Sequence, residues 1–196
     1  MKKQSERTVL RICFWAGIGL LVAAAILLGL WQLQIHTAKQ KADDYVTTIR
    51  TLTPTPQSTV LEERRENRMP VLSVDGINFA GILEMPKYGS ALPVCADWGS
   101  LTNYPCCLSG SVYDRTIQIG STSQKGFYDF YREICVGDTV FYTDMEGNRF
   151  SYTVTDIRHA QHADQSTLRQ TDADLTLFIQ NIYAFEYILI FCSETS

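Results

Sequence analysis

The sequence predicts a mainly β domain, a barrel or a sandwich, preceded by an N-terminal transmembrane helix and a helical stalk. Three observations carry this. No residue from Ile12 to Trp31 is charged. The segment after it is polar with helical spacing and is broken by prolines. From Val71 onward, short apolar or alternating runs recur between turn signals, as in all-β barrels and sandwiches.

About 20 residues in a helix span the hydrocarbon core of a bilayer, so Ile12 to Trp31 is long enough to contact membrane along its whole length. Trp15 and Trp31 sit near its two ends, where amphipathic rings favour the headgroup level. The run is too long for the apolar region of a signal peptide and no small-x-small cleavage site follows, so an uncleaved anchor is expected. Lys2, Lys3, Arg7 and Arg11 precede the span, whereas Lys39 and Lys41 are offset by Asp43 and Asp44. This bias predicts a single-pass cell-membrane protein with a cytoplasmic N-terminus and an extracellular C-terminal domain. The expected divisions are 1–11 cytoplasmic, 12–33 transmembrane, 34–68 stalk and 69–196 β domain.

Beyond Gln34 the chain has 13 Lys and Arg against 20 Asp and Glu, a net of −7. It lacks the basic footprint of a nucleic-acid binder, so no nucleic-acid partner is expected. Cys13 lies in the span, leaving Cys95, Cys106, Cys107, Cys135 and Cys192 outside it. They form no CxxC pair and no Cys/His metal spacing, so neither metal nor cofactor is expected. Buried or free thiols are the expected state, with one disulfide, from Cys95 to Cys106 or Cys107, as the alternative. Cys135 and Cys192 read as small core residues.

Tyr45, Ile49 and Leu52 follow helical spacing along His36 to Thr51, and Thr53-Pro54-Thr55-Pro56 ends that pattern. Thr59 to Glu62 has capping-box spacing and opens a short charged helix to Arg68. Strands are predicted at Ile77–Met85, Thr116–Gly120, Thr139–Thr143, Phe150–Thr155, Leu175–Ile179 and Tyr187–Cys192. Asp144 to Asn148 reads as a hairpin turn, and Phe127 to Ile134 as a helix.

Taken in order, these segments resemble the sortases, the membrane-anchored cysteine transpeptidases of Gram-positive bacteria. The resemblance rests on Gly81-Ile82-Leu83-Glu84-Met85-Pro86-Lys87 with Leu92-Pro93-Val94, then Ile117-Gln118-Ile119-Gly120 and Gly126-Phe127-Tyr128-Asp129-Phe130. It continues through Gly137-Asp138-Thr139-Val140 and Gly147-Asn148-Arg149-Phe150-Ser151-Tyr152-Thr153-Val154, and ends on Leu175-Thr176-Leu177. It spans roughly Met69 to Cys192 and implies a sortase-type closed β-barrel with short helices. The two-part stalk and the run Pro105 to Ser111 look closest to class B or class B-like members.

The family's chemistry uses a thiolate nucleophile, a histidine acid and an arginine near the oxyanion. At the matching positions this chain has Gln180 for the cysteine, Ser121 for the histidine, and Glu186 or Tyr187 for the arginine. Neither a glutamine amide nor a serine without a base is a useful nucleophile. The resemblance therefore implies a catalytically inactive member, with Ser121, Leu177, Gln180, His159 and His162 as the candidate peptide groove. Sorting-signal peptides, pilins or an active sortase are the implied partners. Two alternatives stand beside it: a transpeptidase or hydrolase with relocated groups such as His159, His162 or a non-standard cysteine, and a non-catalytic envelope sensor or structural domain.

Overall fold

The computed structural model describes residues 2–54, 69–97, 104–123, 129–161, 173–182 and 184–195, with side chains described from residue 14 onward. The chain divides into two compact units, Met1–Ala38 and Lys39–Ser196. Helix α1, Lys2–Leu52, begins in the first and ends in the second. In the first unit Trp15, Leu20, Leu27 and Trp31 are exposed, and the helix is long and apolar enough to cross a membrane.

In the second unit the last turns of α1 are part of the globular body rather than a free stalk. Ala42, Val46 and Ile49 are buried, spaced four and three residues apart on one helix face. Tyr45 sits 5.2 Å from Phe79 and 5.7 Å from Tyr104, centroid to centroid. The buried stripe is thus shifted from the Tyr45–Ile49–Leu52 line that the sequence suggests; Leu52 is exposed. The helix stops where expected, since Pro54 cannot continue it and the Thr53 backbone N–H and hydroxyl both donate to the Ile49 carbonyl, at 2.8 and 2.7 Å. The charged helix expected from Thr59 to Arg68 lies outside the described residues.

Among the described residues nine strands follow: β1 Leu72–Val74, β2 Ile77–Met85, β3 Ser90–Cys95, β4 Cys106–Ser109, β5 Ile117–Thr122, β6 Thr139–Asp144, β7 Arg149–Ala160, β8 Leu175–Asn181 and β9 Glu186–Glu194. Their order is β1-β2-β3-β4-β5-β8-β9-β7-β6, and β6 also pairs with β2. That last pairing closes β2 to β9 into an eight-stranded barrel and leaves β1 as an extra strand on β2. The parallel seams are β3–β4 and β5–β8.

Alternation along the strands fills the interior. Ile117 and Ile119, Val140 and Tyr142, Tyr152 and Val154, Leu175 and Leu177, and Ile188 and Ile190 are all buried. Where Tyr142 crosses β2 only glycine fits: a Cβ on Gly81 would lie 2.3 Å from the Tyr142 ring. The Tyr142 hydroxyl donates to the Ala80 carbonyl at 2.9 Å. The predicted β6–β7 hairpin is organised by buried Asp144, which accepts from the Glu146 and Asn148 backbone N–H groups at 2.8 and 2.9 Å and from the Tyr113 hydroxyl.

Two expectations change. In place of a helix from Phe127 to Ile134 there is a 3-10 turn, Asp129–Arg132, with residues 124–128 outside the description. Cys135, read as core, is exposed: it follows that turn on the surface and its thiol donates to the Glu133 carbonyl at 3.3 Å.

Candidate functional site

The strands that carry the candidate residues lie side by side. β5 runs parallel to β8, with Gly120 opposite Phe178, Ser121 opposite Ile179 and Thr122 opposite Gln180. β9 returns antiparallel, with Gln180 opposite Tyr187 and Asn181 opposite Glu186. Residues opposite one another share a face of the sheet, and successive residues alternate faces. This sorts the candidates into two groups.

Leu177 and Ser121 are on the barrel-interior face with Ile179 and Ile188. Both are buried, and the Ser121 hydroxyl has no hydrogen-bond partner among the described residues. Gln180 is on the outer face with Thr122, Phe178 and Tyr187. The structure therefore brings Gln180 and Tyr187 together and turns Ser121 away from them. Glu186, the other position considered for the arginine, shares its face with Asn181 rather than with Gln180. Sequence matching fixes the order of residues but not which face each one occupies.

On the outer face the Gln180 Nε2 donates to the Tyr187 hydroxyl over 3.5 Å, a long hydrogen bond. The Tyr187 ring stacks on Phe178 at 5.1 Å between centroids, inclined by 22°. Leu189, Phe191, Leu108 and Ala160 continue this apolar patch. The patch approaches the backbone at Gly120, where a Cβ would meet the Leu108 side chain at 2.5 Å. Ser123 ties the strand ends together: its N–H donates to the Gln180 carbonyl at 2.9 Å and its hydroxyl accepts from the Ile182 N–H at 3.2 Å. Phe178, Tyr187 and the glycine-opened backbone carry no polar motif, so sequence reasoning singled out Leu177 and missed its outward neighbour.

Beyond the strand ends, His159, Asn181 and Glu186 border a cavity of about 720 Å3 together with Tyr131 and Arg132. Glu186 accepts from the Asn181 amide at 3.2 Å and lies 3.4 Å from the His159 Nδ1. His162 lies outside the described residues. Among the described residues no three His, Cys, Asp or Glu side chains gather as metal ligands.

The thiols whose acidity is shifted are shifted the wrong way for nucleophiles. Burial pushes Cys192 up to about 12. Burial also pushes Cys107 up to about 12, against a side-chain interaction with Tyr142 that lowers it. Cys106 is raised further by a hydrogen bond to Cys95 and by burial. All three stay protonated near neutral pH, whereas attack requires thiolate.

No family model matches the chain, and no curated protein matches it. Solved structures do match. Sortase C-3 from Streptococcus pneumoniae superposes with a TM-score of 0.54 at 17% identity, over 83% of this chain and 84% of that one. Sortase A from Corynebacterium diphtheriae gives 0.52 at 16% identity, over 83% and 84%. Clostridium perfringens sortase C with the C-terminal cell wall sorting motif gives 0.51 at 19% identity, over 80% and 90%. With its closed eight-stranded barrel and these neighbours, the chain has the sortase fold.

Proposed function

We propose that this chain is a membrane-anchored, extracytoplasmic sortase-fold protein that binds an extended peptide without cleaving it and assists surface-protein or pilus assembly. The observation that carries this is the Gln180–Tyr187 pair: where the resemblance calls for a thiol and a guanidinium, two neutral hydrogen-bonding side chains lie on one face. The peptide lies across the outer face of β5, β8 and β9. Half-buried Tyr187, stacked on buried Phe178, offers apolar contact there, and Gln180 and Thr122 offer donors and acceptors. A sortase-fold neighbour determined with a cell wall sorting motif supports a sorting-signal-like peptide as the ligand class.

The cytoplasmic N-terminus and the anchoring role of α1 follow from the charge bias around Ile12 to Trp31. The run Pro105 to Ser111 is what favours a class B-like ancestry for this inactive member. A relocated active site is disfavoured by Cys106, Cys107 and Cys192, which stay protonated.

The test is a fluorescence-anisotropy titration of a labelled sorting-signal peptide against the full chain in detergent. The expected result is saturable binding that weakens roughly tenfold in Tyr187→Ala, about 1.4 kcal/mol. No saturable binding, or equal affinity for a scrambled peptide, would leave the groove without a ligand and refute the proposal.

A further inference from the structure

The weakest seam of the barrel is β3–β4. Every other pair of neighbouring strands shares three or more register pairs, whereas β3 and β4 share one, Cys95 opposite Cys106. Pro93 has no N–H to offer a ladder, and β4 reaches β3 only beyond it. Among the described residues one further backbone bond supports the seam, from the Cys95 N–H to the Pro105 carbonyl at 2.8 Å.

Both cysteines are fully buried and are free thiols in this structure, and the Cys106 thiol donates to the Tyr104 carbonyl at 3.4 Å. Phe79 stands opposite Cys95 across β2 and β3, and its ring packs with those of Tyr45 and Tyr104, at 5.2 and 6.2 Å between centroids. Cys107 is excluded as a partner by alternation: it pairs with Ile119 on the interior face, where its thiol meets Tyr142.

We propose that Cys95 and Cys106 form a disulfide that staples the β3–β4 seam. Each thiol gives up one proton and one electron, the two sulfurs join, and the two electrons reduce the disulfide of an extracytoplasmic thiol oxidoreductase or a low-molecular-weight disulfide to two thiols. Burial under the aromatic side chains makes the folded dithiol inert, so the bond forms while the chain folds. Directly opposed strand positions bring the two backbones within the span a disulfide needs. The proposal does not depend on peptide binding.

In the test, the full chain in detergent is unfolded, then refolded with mixed oxidised and reduced glutathione. It is acid-quenched, alkylated and digested without reduction. The expected product has one linked peptide pair carrying Cys95 and Cys106, and an intact mass lower by two hydrogens. Its melting temperature exceeds that of protein refolded in reductant by roughly 5 to 10 °C. The Cys95→Ala/Cys106→Ala variant, if folded, shows no such redox dependence. Recovery of both cysteines as alkylated thiols, predominant linkage to Cys107 or Cys192, or linkage with no change in melting temperature overturns the proposal. Mapping on the unsubstituted chain keeps the test decisive if the variant fails to fold.

Discussion

Gln180 on β8 and Tyr187 on β9 face each other across the sheet, with the amide nitrogen 3.5 Å from the phenol oxygen. On the proposed reading, the pair stands at the positions that the sequence resemblance assigns to reactive groups, and here the two side chains are joined by a hydrogen bond. The outer-face position of Gln180 yields a direct prediction. In Gln180→Cys, iodoacetamide applied to the native protein labels position 180 along with exposed Cys135, while Cys192 is labelled only after denaturation. Peptide mass mapping checks this; protection of position 180 would mean that the face is closed.

Ser121 bears a buried hydroxyl without a partner among the described residues. An unsatisfied buried polar group costs about 1–3 kcal/mol. Ser121→Ala is therefore expected to raise stability by about 1 kcal/mol, read from the urea midpoint at constant slope. A loss of stability would show that the hydroxyl has an unseen partner.

Phe185, in the turn between β8 and β9, combines a left-handed φ of 53° with 86% exposure. Left-handed backbone is costly for a residue with a Cβ and free for glycine. Phe185→Gly should stabilise the fold by roughly 0.5–1 kcal/mol, measured by thermal denaturation. If Tm falls instead, the ring is packing against the domain.

Asp138 sets an acid limit. Burial raises its carboxyl, but hydrogen bonds from Lys87, Tyr88 and the Cys135 N–H outweigh that and hold it at about 2, against an ordinary 3.8. A depressed carboxyl contributes stability above its unfolded value and loses it as pH falls through the folded one. Wild type is thus expected to lose stability between pH 3.8 and about 2, and Asp138→Asn to lose less over that window. Parallel acid unfolding curves for the two proteins would rule this out.

Several strands are legible in the sequence. The predicted Ile77–Met85 coincides with β2, and the hairpin turn at Asp144 to Asn148 joins β6 to β7, because alternating apolar runs and a glycine turn are local signals. β4 is not legible: Cys106–Ser109 is a short strand held by long-range pairing with β3 and β5. The site is legible only in part. The positions in Leu175 to Gln180 are located by order along the chain, but the face of each follows from register. A shift of one residue separates Ser121 from Gln180. The packing of Val46 beside Ile49 depends on the barrel wall, which helix spacing alone does not reveal.

The central claim is that this sortase fold holds a peptide without transpeptidation. It is tested by incubating the full chain in detergent with a sorting-signal peptide and an amine acceptor, then resolving peptide and protein by mass. The expected result is intact peptide and unmodified protein at every time point. A cleaved or amine-transferred product, or a thioester adduct on any cysteine of the chain, would contradict the claim.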